Sequence, residues 1–136
     1  MSGPDDGEAM ARAAEALAGA RFRLHGRDPA TGLDCIGVLA AALAAIGRRA
    51  ELPTGYALRS HRLPELARWA SACGLAEAQG PIRPGDVLLL RSGPCQHHLA
   101  IALPGGRFVH AHAGLRRVVA VPGPPDAPVL RRWRLI

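Results

Sequence analysis

Cys35, His98 and His110 are the residues whose types and order could carry covalent chemistry in this 136-residue chain. A thiol attacks as its thiolate, and the first turn of a helix favours that form through unpaired backbone N–H groups and the positive helix end. Cys35 stands at such a point. Asp34 reads as an N-cap, and Cys35–Ile46 is an Ala- and Leu-rich run closed by Gly47. An ionised Asp34 opposes the thiolate, so a histidine partner is expected. A small buried hydrophobe is an equal reading of Cys35 by position alone. His98 and His110 begin and occupy two successive strand-like segments, an even number of residues apart. An odd-length or bulged hairpin loop between them puts both on one face, and an even, unbulged loop puts them on opposite faces. If they meet, His98 takes the Cys35 proton while His110 holds the other ring nitrogen: nucleophile, base and orienter. Two solvent-facing edge-strand histidines are the plain alternative for either one alone.

Other polar residues offer less. His97 is expected on the opposite face from His98, toward solvent. His112 shares parity with His110 and is a candidate for lining a cleft, as is His25 in the loop before Cys35. Tyr56 could border a subsite, Cys73 reads as core, and Asp86 as a turn or backbone cap. Cys95, His98, His110 and His112 supply soft and imidazole ligands at close spacing, so a zinc-binding protein is the strongest rival. Against it, Cys95 follows Pro94 with no paired cysteine motif, and the expectation is a site with no metal and no cofactor.

The elements that must position these residues follow from periodicity. A first helix is expected over about Gly7–Leu17, with Met10, Ala13, Ala14 and Leu17 on one stripe. Arg21–Leu33 reads as a loop broken by Gly26, Pro29 and Gly32. The helix opened by Cys35 has few polar side chains and should be buried nearly all round. A third helix follows Leu63, with Pro64 in its first turn, Gly74 past its end, and Leu66, Trp69, Ala70 and Cys73 facing inward. Leu52–Arg62 reads as an irregular crossing. Strand candidates are Asp86–Leu90, Leu99–Leu103, Arg107–Ala111 and Arg117–Val121, with a last one at Val129–Ile136. Pro104-Gly105-Gly106 turns the second into the third, and Pro122–Pro128 is a Pro-rich loop. Helices first and a meander second predict an α+β fold, one domain over 1–136, with the N-terminal helices packed on an antiparallel sheet.

Composition narrows the function classes. The net charge is +6, and the 17 basic residues are all arginine. The arginines are scattered without interleaved aromatics, which argues against specific nucleic-acid binding, whereas a basic face suits an anionic polymer such as a bacterial cell wall. The longest apolar stretch, Ile36–Ile46, is too short to span a membrane. The acidic start Met1–Glu8 lacks a secretory pattern, and three cysteines form no paired framework. A cytoplasmic or particle-associated protein is expected.

Four stretches in order, Gly32–Gly37 (GLDCIG), Arg83–Leu90 (RPGDVLLL), His98–Ile101 (HLAI) and Phe108–Ala111 (FVHA), resemble the motifs of the NlpC-type cell-wall cysteine peptidases. Gly19–Gly26 also resembles the loop before the nucleophile in that family. The resemblance is greatest to the small peptidases of phage tails and gene-transfer agents. It implies a compact papain-like fold, with Cys35, His98 and His110 as nucleophile, base and third polar residue. It also implies cleavage of peptidoglycan stems, commonly between D-glutamate and a diamino acid, and phage-tail or gene-transfer-agent proteins as partners. A non-catalytic wall-binding or tail-structural module of the same fold is the other alternative. Two positions depart from the pattern: Phe22 stands where the family usually has Tyr, which removes one hydroxyl near the oxyanion, and Ile36 where Ser is common.

Overall fold

The apolar run after Asp34 forms the helix on which the rest is built. In a computed structural model, which describes residues 4–48, 63–93 and 96–136, helix α2 covers Cys35–Ala45 and buries Ile36, Gly37, Val38, Leu39, Ala42 and Leu43. Burial is not all round as expected: Cys35, Ala40 and Ala41 are half-buried, and Ala44 and Ala45 in the last turn are exposed. Gly47 follows at φ 79°, the left-handed conformation that ends a helix at least cost to glycine.

Helix α1 (Pro4–Glu15) begins earlier than the stripe at Met10 suggests, and packs Met10, Ala11 and Ala14 against α2. Helix α3 (Leu63–Ala72) brings Leu66, Ala70 and the following Cys73 to the same core, with Gly74 past its end at φ 79°. The expected crossing Leu52–Arg62, with Tyr56 and His61, lies outside the described residues.

Between α1 and α2, the expected loop contains two short paired strands, β1 (Arg27–Asp28) and β2 (Gly32–Leu33). The main sheet is antiparallel with six strands: β3 (Leu75–Glu77), β4 (Val87–Gly93), β5 (Gln96–Ala102), β6 (Phe108–His112), β7 (Arg117–Val121) and β8 (Val129–Leu135), in the order β3-β8-β4-β5-β6-β7. Its alternation is read by period two. Val87, Leu89, Leu99, Ile101, Val109 and Ala111 enter the core shared with the helices, while Leu88, Leu90, Ala100 and Phe108 form a second cluster on the other face. The α+β layering expected from sequence, helices on an antiparallel sheet, is what the chain adopts.

Asp86, read as a turn or cap residue, does cap a backbone group by accepting the Arg83 N–H at 2.9 Å. It is also fully buried, which needs a countercharge, and Arg134 supplies it through two bonds of 2.7 and 2.8 Å.

Candidate active site

Asp34 is buried and fully employed. Its Oδ1 accepts the Gly37 N–H at 2.8 Å, the N-cap bond, and the Arg27 guanidinium at 2.9 Å, while Oδ2 accepts the His25 N–H at 2.9 Å. These partners offset the cost of enclosing a carboxylate and tie the preceding loop to the helix start. Close approach is possible because Gly26 and Gly37 lack side chains: a Cβ on Gly37 would lie 2.1 Å from the Gly26 carbonyl oxygen. The role of Arg27 was not legible in the sequence, because the contact depends on how the loop folds back.

The hairpin between β5 and β6 decides the face of the two histidines. Pro104-Gly105-Gly106 is the turn, with Gly105 and Gly106 at φ 80° and 77°, and Ala102 pairs Phe108. The loop is therefore odd in length, and His98 and His110 share a face. Their rings meet edge to face, with His98 Nε2 and His110 Nδ1 2.8 Å apart in a hydrogen bond.

The β5–β6 ladder ends at Ile101↔Val109, before it reaches these residues. Alternate residues of an antiparallel strand bond the same neighbour. Ala102 donates to Asp86 beside β4, and Leu103 donates to Arg107 on the β6 side, so Ile101 and Leu99 also face β6. With the ladder ended, the Leu99 N–H is free to act on the Cys35 sulfur, whose pKa it lowers. The thiol thus sits at the backbone of the residue that follows His98, and α2 touches both β5 and β6.

Burial outweighs the helix end at the thiol. Enclosure pushes the Cys35 pKa up to about 11, with the Leu99 N–H pulling it down and the Asp34 charge adding to the rise. Desolvation thus adds to the opposition from Asp34 that the sequence already pointed to. Enclosure likewise lowers His98 to about 4, helped by His110 and then His112, and lowers His110 with help from His112. The Cys35 thiol and the His98 imidazole rest neutral at pH 7.

The remaining candidates fall as follows. His112 continues the row, its ring centroid 5.5 Å from that of His110, and its Nδ1 accepts the Leu115 N–H at 3.1 Å. His25 is exposed at φ 62° and reaches the site through its backbone N–H on Asp34. Phe22 is half-buried, packed against the main core, with its N–H on the Arg116 carbonyl. His97 is not the solvent-facing residue expected: it is partly buried, and its Nδ1 is enclosed without a hydrogen-bond partner, because its face of β5 turns toward the core side. Tyr56 and Cys95 lie outside the described residues. Among the described residues no group of three or more His, Cys, Asp or Glu side chains is arranged to hold a metal.

A family model, the NlpC/P60 family, matches residues 19–123. The chain belongs to the NlpC/P60 family. Its fold is that of solved NlpC/P60 structures. NlpC2 from Trichomonas vaginalis superimposes with a TM-score of 0.71 at 19% identity over 98% of this chain, and NlpC1 from the same organism with 0.69 at 21% over 98%. The NlpC/p60 domain of the peptidoglycan hydrolase SagA matches with 0.60 at 27% identity, covering 90% of this chain and 97% of that domain. This NlpC/P60 chain spans about half the length of the Trichomonas structures, 46% of NlpC1 and 50% of NlpC2. No curated protein matches its sequence.

Proposed function

We propose that this NlpC/P60 chain is a cysteine peptidase that hydrolyses the peptide stems of bacterial peptidoglycan at the bond between D-glutamate and the diamino acid. The observation that carries the reading is the 2.8 Å bond between His98 Nε2 and His110 Nδ1, with the backbone of the next residue, Leu99, acting on the Cys35 thiol. That bond leaves His98 Nδ1 as the nitrogen to receive the thiol proton, with Nε2 carrying its hydrogen toward His110. Because thiol and imidazole rest neutral, proton transfer to His98 accompanies sulfur attack on the carbonyl carbon. The oxyanion is received by the Cys35 backbone N–H at the start of α2. His98 then protonates the departing amine nitrogen, leaving a thioester on Cys35. Water, deprotonated by His98, attacks that thioester, releases the acid and returns the proton to sulfur.

The substrate class rests on family membership and on the wall-hydrolase neighbours, SagA and RipB from Mycobacterium tuberculosis. Purified peptidoglycan incubated with the protein should yield new D-glutamate carboxyl and diamino-acid amino ends by mass spectrometry. Intact stems after prolonged digestion would refute the reading and favour the wall-binding module. The phage-tail or gene-transfer-agent setting, with the protein particle-borne or cytoplasmic, rests on the motif resemblance. Its test is co-sedimentation of the protein with particles from a producing culture.

A further inference from the structure

The face of the sheet that carries His98 and His110 does not end at His112. In the β6–β7 ladder His110 is paired with Val119 and His112 with Arg117, and Arg117 is bridged on its other side to Arg21. Directly paired residues of antiparallel strands project on one face, so His112, Arg117 and Arg21 form one row across three segments. Strands lie about 4.8 Å apart, so the arginines begin about 5 Å and 10 Å from the His110–His112 strand. A second link joins the same segments, the Phe22 N–H on the Arg116 carbonyl.

Four arginines gather here, Arg21, Arg23, Arg116 and Arg117, all exposed. The ion pairs among the described residues engage other arginines, including Arg48, Arg107 and Arg134, and none of these four. Like charges brought together without carboxylates repel one another, so the cluster favours an anion from outside. The same two loops hold Leu24 and Leu115, 65% and 56% exposed, the apolar edge that a purely ionic surface would not need.

We infer that this arginine edge, centred on Arg21 and Arg117, binds carboxylates of the wall's peptide stems and draws the strand across the Cys35–His98 site. The inference rests on the peptidase reading and adds the surface that recognises the polymer. Guanidinium forks match carboxylates in bidentate fashion. Counted from His98 on β5, Arg117 and Arg21 lie two and three strand spacings away, about 10 and 14 Å, so at about 3.4 Å per extended residue they reach carboxylates about three to four residues from the scissile bond. Phosphate-bearing polymers would not have to lie so near the reacting atoms.

The test uses the full chain with Cys35→Ala, pelleted with purified sacculi from which phosphate polymers have been stripped. At low salt the parent should bind, and Arg21→Gln with Arg117→Gln should bind at least ~10-fold more weakly, the gap closing by ~1 M salt as screening removes the steering charge. Arg12→Gln with Arg68→Gln, exposed elsewhere, should bind as the parent does. Unfolding midpoints establish that each variant is folded. The inference is overturned if the Arg21/Arg117 variant binds like the parent, if stripping abolishes binding, or if duplex DNA displaces the protein from sacculi at lower concentration than soluble stem peptide. Hydrolysis of a soluble stem peptide by the Cys35-containing protein is measured alongside: its absence refutes the peptidase reading, whereas hydrolysis with unchanged variant binding refutes the arginine edge alone.

Discussion

On the proposed mechanism, lowering the pH from 7 to 5 should leave hydrolysis nearly at its full rate, although the proposed base, His98, acts unprotonated. An ordinary imidazole titrates near 6.5, and burial with its two histidine neighbours brings His98 to about 4. At pH 5 a base of pKa 6.5 is about 3% neutral, whereas a base of pKa 4 is about 90% neutral. The two cases differ about 30-fold in kcat/KM at that pH, because kcat/KM reports the free enzyme's ionisations. The assay is kcat/KM on a soluble stem peptide between pH 3.5 and 8, with circular dichroism at each point. The fold must be followed because the same shift acts on stability. His98 binds a proton more readily unfolded than folded, so stability is full above pH 6.5 and falls as pH drops from 6.5 toward 4. The full loss is 2.5 units at 1.36 kcal/mol each, about 3 kcal/mol before discount for its partial exposure. An acid limb centred near pH 6.5 in protein that is still folded would refute an enclosed His98.

Iodoacetamide should label Cys35 slowly at pH 7 and faster as pH rises toward its value of about 11, with Cys73 protected at 2% exposure. Peptide mapping that finds Cys73 modified first would contradict the assignment. His110→Ala should reduce kcat, less severely than His98→Ala, because the proposed mechanism uses His110 only to orient the base, whereas His97→Leu should leave kcat unchanged and hold or raise the unfolding midpoint, since its enclosed Nδ1 has no partner to lose. Phe22→Tyr should raise kcat, up to the ~10²–10³ that one oxyanion donor is worth, if the new hydroxyl reaches the cleft. Lower stability with no gain in rate would mean the ring is core. Asp34→Asn should cost about 1–2 kcal/mol by denaturant unfolding, because it weakens the cap and removes the charge that Asp34 sets against the Arg27 guanidinium.

Local signals were legible wherever the physics is local. Asp34 as a cap, the apolar run of α2, the Gly74 stop and the Pro104-Gly105-Gly106 turn all depend on neighbouring residues, and the structure has each of them. The three-residue strand Leu75–Glu77 was not legible: too short for a period-two pattern, it exists through pairing with Leu135, Arg134 and Trp133 at the far end of the chain. The face shared by His98 and His110 turned on loop parity, which the sequence left open. Protonation was the larger gap. A helix start announces itself in sequence, but the enclosure that lifts Cys35 and lowers His98 comes from the sheet closing around them. Arg27 on Asp34, and Arg21 beside Arg117, are likewise products of long-range pairing that spacing does not reveal.

The central claim is that Cys35 is the nucleophile of a wall-stem peptidase. A chloromethyl ketone analogue of L-alanyl-γ-D-glutamate, incubated with the protein and followed by peptide mapping, tests it directly. The account predicts one adduct per chain, on Cys35, formed in step with loss of hydrolysis, slowed by excess stem peptide and absent from Cys35→Ala. Hydrolysis that persists in protein fully alkylated at Cys35, or in Cys35→Ala, would contradict it.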